Sequence, residues 1–130
     1  MISRAVSGLL ISNDAVVLVG RGGSGGETVW APPGGKVEPG ESLQQAVERE
    51  FVEETCLEVE ATGLVGYLEI CSDAQQFALW VWLVSQVVGV TQNAIAGSDA
   101  HGLRIQRTSE IEKLPLAPGV RELFARLGLV

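Results

Sequence analysis

Apolar and polar positions along the chain fall into short apolar runs, one amphipathic stretch and interruptions rich in glycine and proline. Ala5 to Ile11 and Ala15 to Val19 are rich in valine, leucine and isoleucine, and Asn13-Asp14 lies between them. That combination predicts two strands joined as a hairpin. Gly20 to Gly26 predicts a flexible loop, because its glycines favour no regular element. Thr28 to Ala31 is a short strand candidate carrying Trp30. Pro32-Pro33 keeps the next residues extended, since proline fixes its own φ and restricts the residue before it. Gly34-Gly35 then opens backbone conformations closed to other residues and leaves carbonyls accessible to a ligand.

From Leu43 to Thr55 the period changes. Leu43, Ala46, Val47 and Phe51 recur at helical spacing and make one apolar stripe. Ser42 with Gln45 forms a capping-box pattern at the start. Val59 to Ile70 reads as one or two strands, broken at Gly63 or Gly66, and Ser72-Asp73 as a turn. Phe77 to Val90 is a long strand candidate with Trp80 and Trp82 on one face. Those tryptophans suit core or homodimer contact better than base stacking. Thr91 to Gly102 predicts a loop, Leu103 to Arg107 a strand, and Pro118 to Leu127 a closing helix with Val120, Leu123, Phe124 and Leu127 on one face. Two helices packed on a mixed sheet bury all of these faces, which gives an α/β class.

Composition narrows the picture. At 46% hydrophobic and 19% charged residues, the chain has the balance of a globular protein, with one domain expected over residues 1–130. Its net charge is −7, and Lys36 and Lys113 are the lysines. Such a surface argues against a polynucleotide partner, whose backbone demands cationic neutralisation. It still permits a small phosphorylated ligand, because bound cations reverse the local field. Asn13 and Asp14 interrupt the apolar start before a signal peptide forms, and no stretch is apolar enough to span a membrane. Cys56 and Cys71 lack a C-x-x-C spacing and read as reduced thiols, so a cytoplasmic protein is expected.

The chemistry concentrates on the amphipathic stretch. Glu50, Glu53 and Glu54 lie at i, i+3 and i+4, so they project from one side of the helix. Periodicity alone leaves two readings: a solvated acidic face, or a site for a hard divalent cation such as Mg2+. The glycine-rich segment lacks the Lys-Ser/Thr ending of a P-loop, which makes it a loop first, with Arg21 a candidate phosphate contact.

The register from Gly35 to Leu57 brings in more. Gly35, Glu41, Arg49, Glu50, Glu53, Glu54 and Leu57 follow G-x5-E-x7-R-E-U-x-E-E-x-G-U, where U is a bulky aliphatic residue and Phe51 is a mild variant at the first U. This resembles the box of the Nudix (MutT-related) hydrolases, and the lead-in Trp30-Ala-Pro-Pro-Gly-Gly is similar to theirs. The resemblance implies an α/β/α sandwich, a mixed sheet flanked by helices. It also implies hydrolysis of a nucleoside diphosphate linked to another group, with Mg2+ or Mn2+ as cofactor. Carried over by position, Glu50, Glu53 and Glu54 are metal ligands, with the Gly34 carbonyl and Glu41 joining them. Arg49 orients the carboxylates, as a guanidinium fork suits.

Two positions depart from the pattern. Cys56 stands at the box's second glycine, where a left-handed backbone would cost a Cβ-bearing residue about 1–2 kcal/mol. A catalytic thiol there has no neighbouring base, so a structural role is expected. Second, many family members carry an acidic residue after the box, in a loop before the last strands, as a base. Near His101 this chain has Gly102 where a glutamate is expected, leaving Asp99 or a box glutamate, and His101 reads as a surface residue. Ser72, Asp73 and Ala74 to Gln76 lack the proline and tyrosine that mark the ADP-ribose and diadenosine-polyphosphate subgroups. By elimination, a nucleoside triphosphate, plain or modified, is favoured. The alternative is a nucleotide-sensing module without turnover, against which the retained carboxylates argue.

Overall fold

The computed structural model describes residues 2–23, 25–71, 76–88 and 102–130. The predicted turn at Ser72-Asp73, and the segment 91–101 with Asp99 and His101, lie outside these described residues. The elements run β1 (Ser3–Leu9), β2 (Ile11–Ser12), β3 (Ala15–Gly22), β4 (Thr28–Ala31), β5 (Gly34–Lys36), α1 (Leu43–Thr55), β6 (Glu58–Cys71), β7 (Gln76–Val88) and β8 (Leu103–Arg107). A 3-10 helix (Thr108–Lys113) and α2 (Val120–Arg126) complete them.

Two sheets share the work. The first has the order β5-β1-β7-β6, with β1 parallel to β7 and the other neighbours antiparallel. In the second, β3 is central and pairs with β2, β4 and β8. Val16 and Leu18 of β3 pack with Ile111, Val120, Leu123 and Phe124, beside α2. Val17 packs with Val6, Ala46, Val47 and Phe51, beside α1. The strand is buried on both faces because a helix covers each side. This is the α/β/α sandwich, and the continuous valine run of β3 is what such double burial requires. Phe51 is fully buried in the α1 layer, worth about 1.5–3 kcal/mol in transfer terms.

Several elements differ from expectation. The hairpin is much shorter: only Ile11 and Ser12 pair back on Val16 and Ala15. Ala5 to Leu9 instead belongs to the other sheet, hydrogen-bonded between β5 and β7, an interior position that suits a run buried on both faces. Asn13 and Asp14 do make the turn, with φ of 52° and 60°. Adjacent left-handed residues suit the twist of a two-residue hairpin. Residues Gly20 to Gly22 are not loop: β3 continues through them, paired with β4. Val59 to Ile70 is part of one unbroken strand, and its glycines mark register shifts between Ala61 and Gly63 and between Leu64 and Gly66. Bulges of this kind bend a strand without ending it. The closing helix starts at Val120, since Gly119 takes a left-handed φ of 85° ahead of it.

Trp80 and Trp82 are half-buried against the α1 layer, which fits their core reading. The large apolar side chains left exposed on the β6–β7 ribbon are Leu64, Val65, Tyr67, Leu83 and Val87. The homodimer expectation therefore rests on these residues rather than on the tryptophans.

Candidate active site

Helix α1 begins and ends as its sequence dictates. Ser42 Oγ accepts from the Gln45 N–H at 3.0 Å, while Gln45 Oε1 accepts from the Ser42 N–H at 2.9 Å. At the other end Cys56 is left-handed with φ 61°, donating its N–H to the Val52 carbonyl at 2.9 Å. A glycine-type cap is thus made by a cysteine, with the conformational cost anticipated. Its thiol is exposed and free.

Between those ends the helix presents its carboxylates to two different arginines. Arg49 is the hub of the outer group. Its Nε donates to Glu41 at 2.6 Å, and its Nη1 donates to Glu50 at 2.8 Å and to Glu53 at 3.2 Å. Its Nη2 reaches Glu41 at 3.0 Å and the Lys36 carbonyl at 3.1 Å. One guanidinium thus serves three carboxylates, leaving the group net negative. The bond to Arg49 holds the Glu41 carboxyl below its usual range. Glu50 moves the other way: burial raises its pKa, and the neighbouring Glu54 and Glu53 add to this against the pull of Arg49. Desolvation is the largest cause at Glu50, whereas at Glu41 the bond to the same Arg49 is.

The inner group was not visible from the box. Arg21, on β3, donates through Nη1 and Nη2 to both oxygens of Glu54, at 2.5 and 2.9 Å. Its Nη2 also donates to the Gly34 carbonyl at 2.8 Å, and the Gly34 N–H donates to Glu54 at 2.8 Å. Glu54 is only 3% exposed, so these donors stand where water would otherwise solvate its carboxylate. The signal that could have found this pair is the alternation of β3: with Val17 facing α1, Arg21 falls on the same side two pleats later.

The glycines bring strand and helix together. A Cβ on Gly35 would lie 2.5 Å from the Glu50 carboxyl carbon, so the carboxylate occupies the space a side chain would take. A Cβ on Gly34 would fall 2.0 Å from the Val6 carbonyl oxygen, which fixes the close approach of β5 to β1. On the other face of the first sheet lies a cavity of about 390 Å³. Ala5, Ser7, Phe77, Leu79, Ile70 and Pro118 line it, and Gly34 and Arg21 stand at its edge. Its size and mostly apolar lining suit a small organic ligand.

The sequence of the NUDIX domain family matches residues 1–127 of this chain. The chain belongs to the Nudix hydrolase family. The Nudix hydrolase YvcI of Bacillus subtilis (strain 168), itself uncharacterized, is 29% identical over 120 residues, 91% of this chain and 74% of YvcI. The 8-oxo-dGTP diphosphatase of Escherichia coli (strain K12) is 40% identical over 57 residues, 44% of each chain. Among solved structures, the E. coli ORF135 protein superposes with a TM-score of 0.80 at 26% identity, covering 97% of this chain and 90% of that one. The MutT protein of Methanosarcina mazei Go1 gives 0.83 at 22% identity, covering 98% and 93%. These neighbours share the sandwich, and the relatives named as hydrolases or diphosphatases agree with a Nudix pyrophosphohydrolase.

The structure brings Glu41, Glu50 and Glu53 together around Arg49, and sets Glu54 and Gly34 apart on Arg21. Among the described residues no three His, Cys, Asp or Glu side chains converge as a ready cage for a metal. Asp99 lies outside them. The donors present nevertheless fit a hard divalent cation in kind: carboxylates and one backbone carbonyl, all oxygen, carrying more negative charge than Arg49 balances. No described helix is long and apolar enough to cross a membrane.

Proposed function

We propose that this Nudix hydrolase cleaves a pyrophosphate bond in a small nucleotide, with a nucleoside triphosphate, plain or modified, as favoured substrate and Mg2+ or Mn2+ as cofactor. The observation that carries the reading is the negative surplus around Arg49 placed one strand away from an apolar cavity. A cation bound there would neutralise pyrophosphate oxygens and lower the pKa of an attacking water. Glu50, Glu53 and Glu54 are the ligands in this reading, joined by the Gly34 carbonyl and Glu41. Arg49 keeps Glu41, Glu50 and Glu53 oriented, and Arg21 does the same for Glu54 and Gly34. Arg21 also stands beside the cavity, where a phosphate would pass. Removing the proton from water falls to a box carboxylate or to Asp99. The cavity takes the base. The 8-oxo-dGTP diphosphatase among the relatives supports a triphosphate substrate.

The test is a panel of nucleoside triphosphates, nucleotide sugars and dinucleotides with Mg2+ or Mn2+, monitoring phosphate and pyrophosphate release. Turnover of at least one compound, abolished by EDTA, is the expected result. Tight nucleotide binding without turnover anywhere on the panel would replace this reading with that of a nucleotide sensor.

A further inference from the structure

Three polar side chains are buried among the described residues: Ser7, Glu54 and Thr55. Two are fully engaged. Glu54 is bound by Arg21 and the Gly34 N–H. The Thr55 hydroxyl donates to the Phe51 carbonyl at 2.7 Å and accepts from the Leu57 N–H at 3.2 Å. Ser7 differs. It is 7% exposed, lies in the wall of the cavity, and donates to the Pro32 carbonyl at a long 3.4 Å. Its oxygen keeps acceptor capacity that no described protein group uses. With its proton committed to Pro32, the hydroxyl oxygen remains available as an acceptor to a ligand in the cavity.

The register of β1 explains the placement. Ser7 pairs with Gly34 on one side and with Val81 on the other, so its side chain shares a face with Ala5 and with Leu79 of β7. Gly34 is the residue whose carbonyl Arg21 holds. Ser7 therefore sits next to the point where the phosphates would enter, on the cavity side of the sheet. The other described side chains lining the cavity are apolar, save Arg21 and Lys36. Both of those are donors, so Ser7 supplies the side-chain acceptor of the described wall.

Resting on the reading of the cavity as the base site, we propose that Ser7 is a specificity-determining residue whose hydroxyl oxygen accepts a hydrogen bond from an N–H donor of the base. Such a site favours a base bearing the donor over an analogue without it, because the analogue leaves the acceptor unanswered.

The experiment compares matched pairs: adenosine against purine-riboside triphosphate, and guanosine against inosine triphosphate, for the wild type and Ser7→Ala, with Mg2+. The same pairs, as nucleosides, are titrated by NMR to read affinity without turnover. The wild type should prefer the amino-bearing member of at least one pair by about two- to tenfold, the worth of one hydrogen bond. Ser7→Ala should bring that ratio to near one, whereas a merely structural defect would lower both members alike. Unchanged ratios in Ser7→Ala, or no preference in the wild type, overturn the proposal. Should Ser7→Ala fail to fold, Ser7→Cys, close in shape and a poorer acceptor, is read by the same ratios. If no triphosphate is turned over, the triphosphate reading fails, and the nucleoside affinities still decide the role of Ser7.

Discussion

The two arginine groups of the site are built from like parts and behave in opposite ways. Around Arg49, one cation is divided among Glu41, Glu50 and Glu53, and Glu53 is half exposed at 50%. Around Arg21, one cation faces one carboxylate, and Glu54 is buried at 3%. The outer group is under-neutralised and open, which suits it to receive charge. The inner group is balanced and closed, which suits it to hold shape. An ion pair near the surface contributes little to stability, whereas removing one partner of a buried pair is costly because the survivor stays in low dielectric. One helix turn thus carries both an open, under-neutralised cluster and a closed, balanced pair.

That division can be broken. The largest effect is expected from Glu53→Gln, which removes an exposed charge. Turnover should fall on the order of 10²–10³-fold, corresponding to several kcal/mol of lost transition-state stabilisation. The urea midpoint should stay where it is in the wild type, and a decline in both would erase the contrast between the groups. Arg21→Ala should do the reverse in kind, costing about 3 kcal/mol of folding stability by leaving Glu54 unpaired. Equilibrium denaturation measures this; a loss below about 1 kcal/mol would show that the inner pair holds little. The smallest change, Cys56→Gly, relieves a left-handed Cβ and should stabilise the fold by about 1 kcal/mol. A thermal melt unaltered or lowered by that substitution would mean that the cysteine packs better than its backbone suggests.

The outer group was legible in the sequence because it is local. Glu41, Arg49, Glu50 and Glu53 are positioned by one helix and the turn before it, so helical spacing and the box register predict their meeting. The capping box at Ser42 was legible for the same reason. The inner group was not, since Arg21 and Glu54 are far apart in sequence and meet only when β3 packs across α1. Glycines around Arg21 suggested a loop, yet pairing with β4 overrides their low strand preference. A similar tertiary override moved Ala5 to Leu9 out of its expected hairpin: the valine and leucine content specified a strand without specifying its neighbours. Gly63 and Gly66 read as breaks, and bulges absorbed them. The cavity was least legible of all, since its wall is drawn from β1, β6, β7 and the segment before α2.

Strand β5 is three residues long and stands at the end of its sheet. Successive residues of a strand look to opposite sides. The Gly34 N–H and carbonyl meet the Glu54–Arg21 pair, Gly35 meets the Glu50 carboxylate, and both glycines also line the cavity. The strand is a seam one backbone thick that the charged groups and the mostly apolar cavity share. A side chain at either glycine would run into the Glu50 carboxylate or the Val6 carbonyl, so the contact between charged groups and cavity depends on two missing side chains.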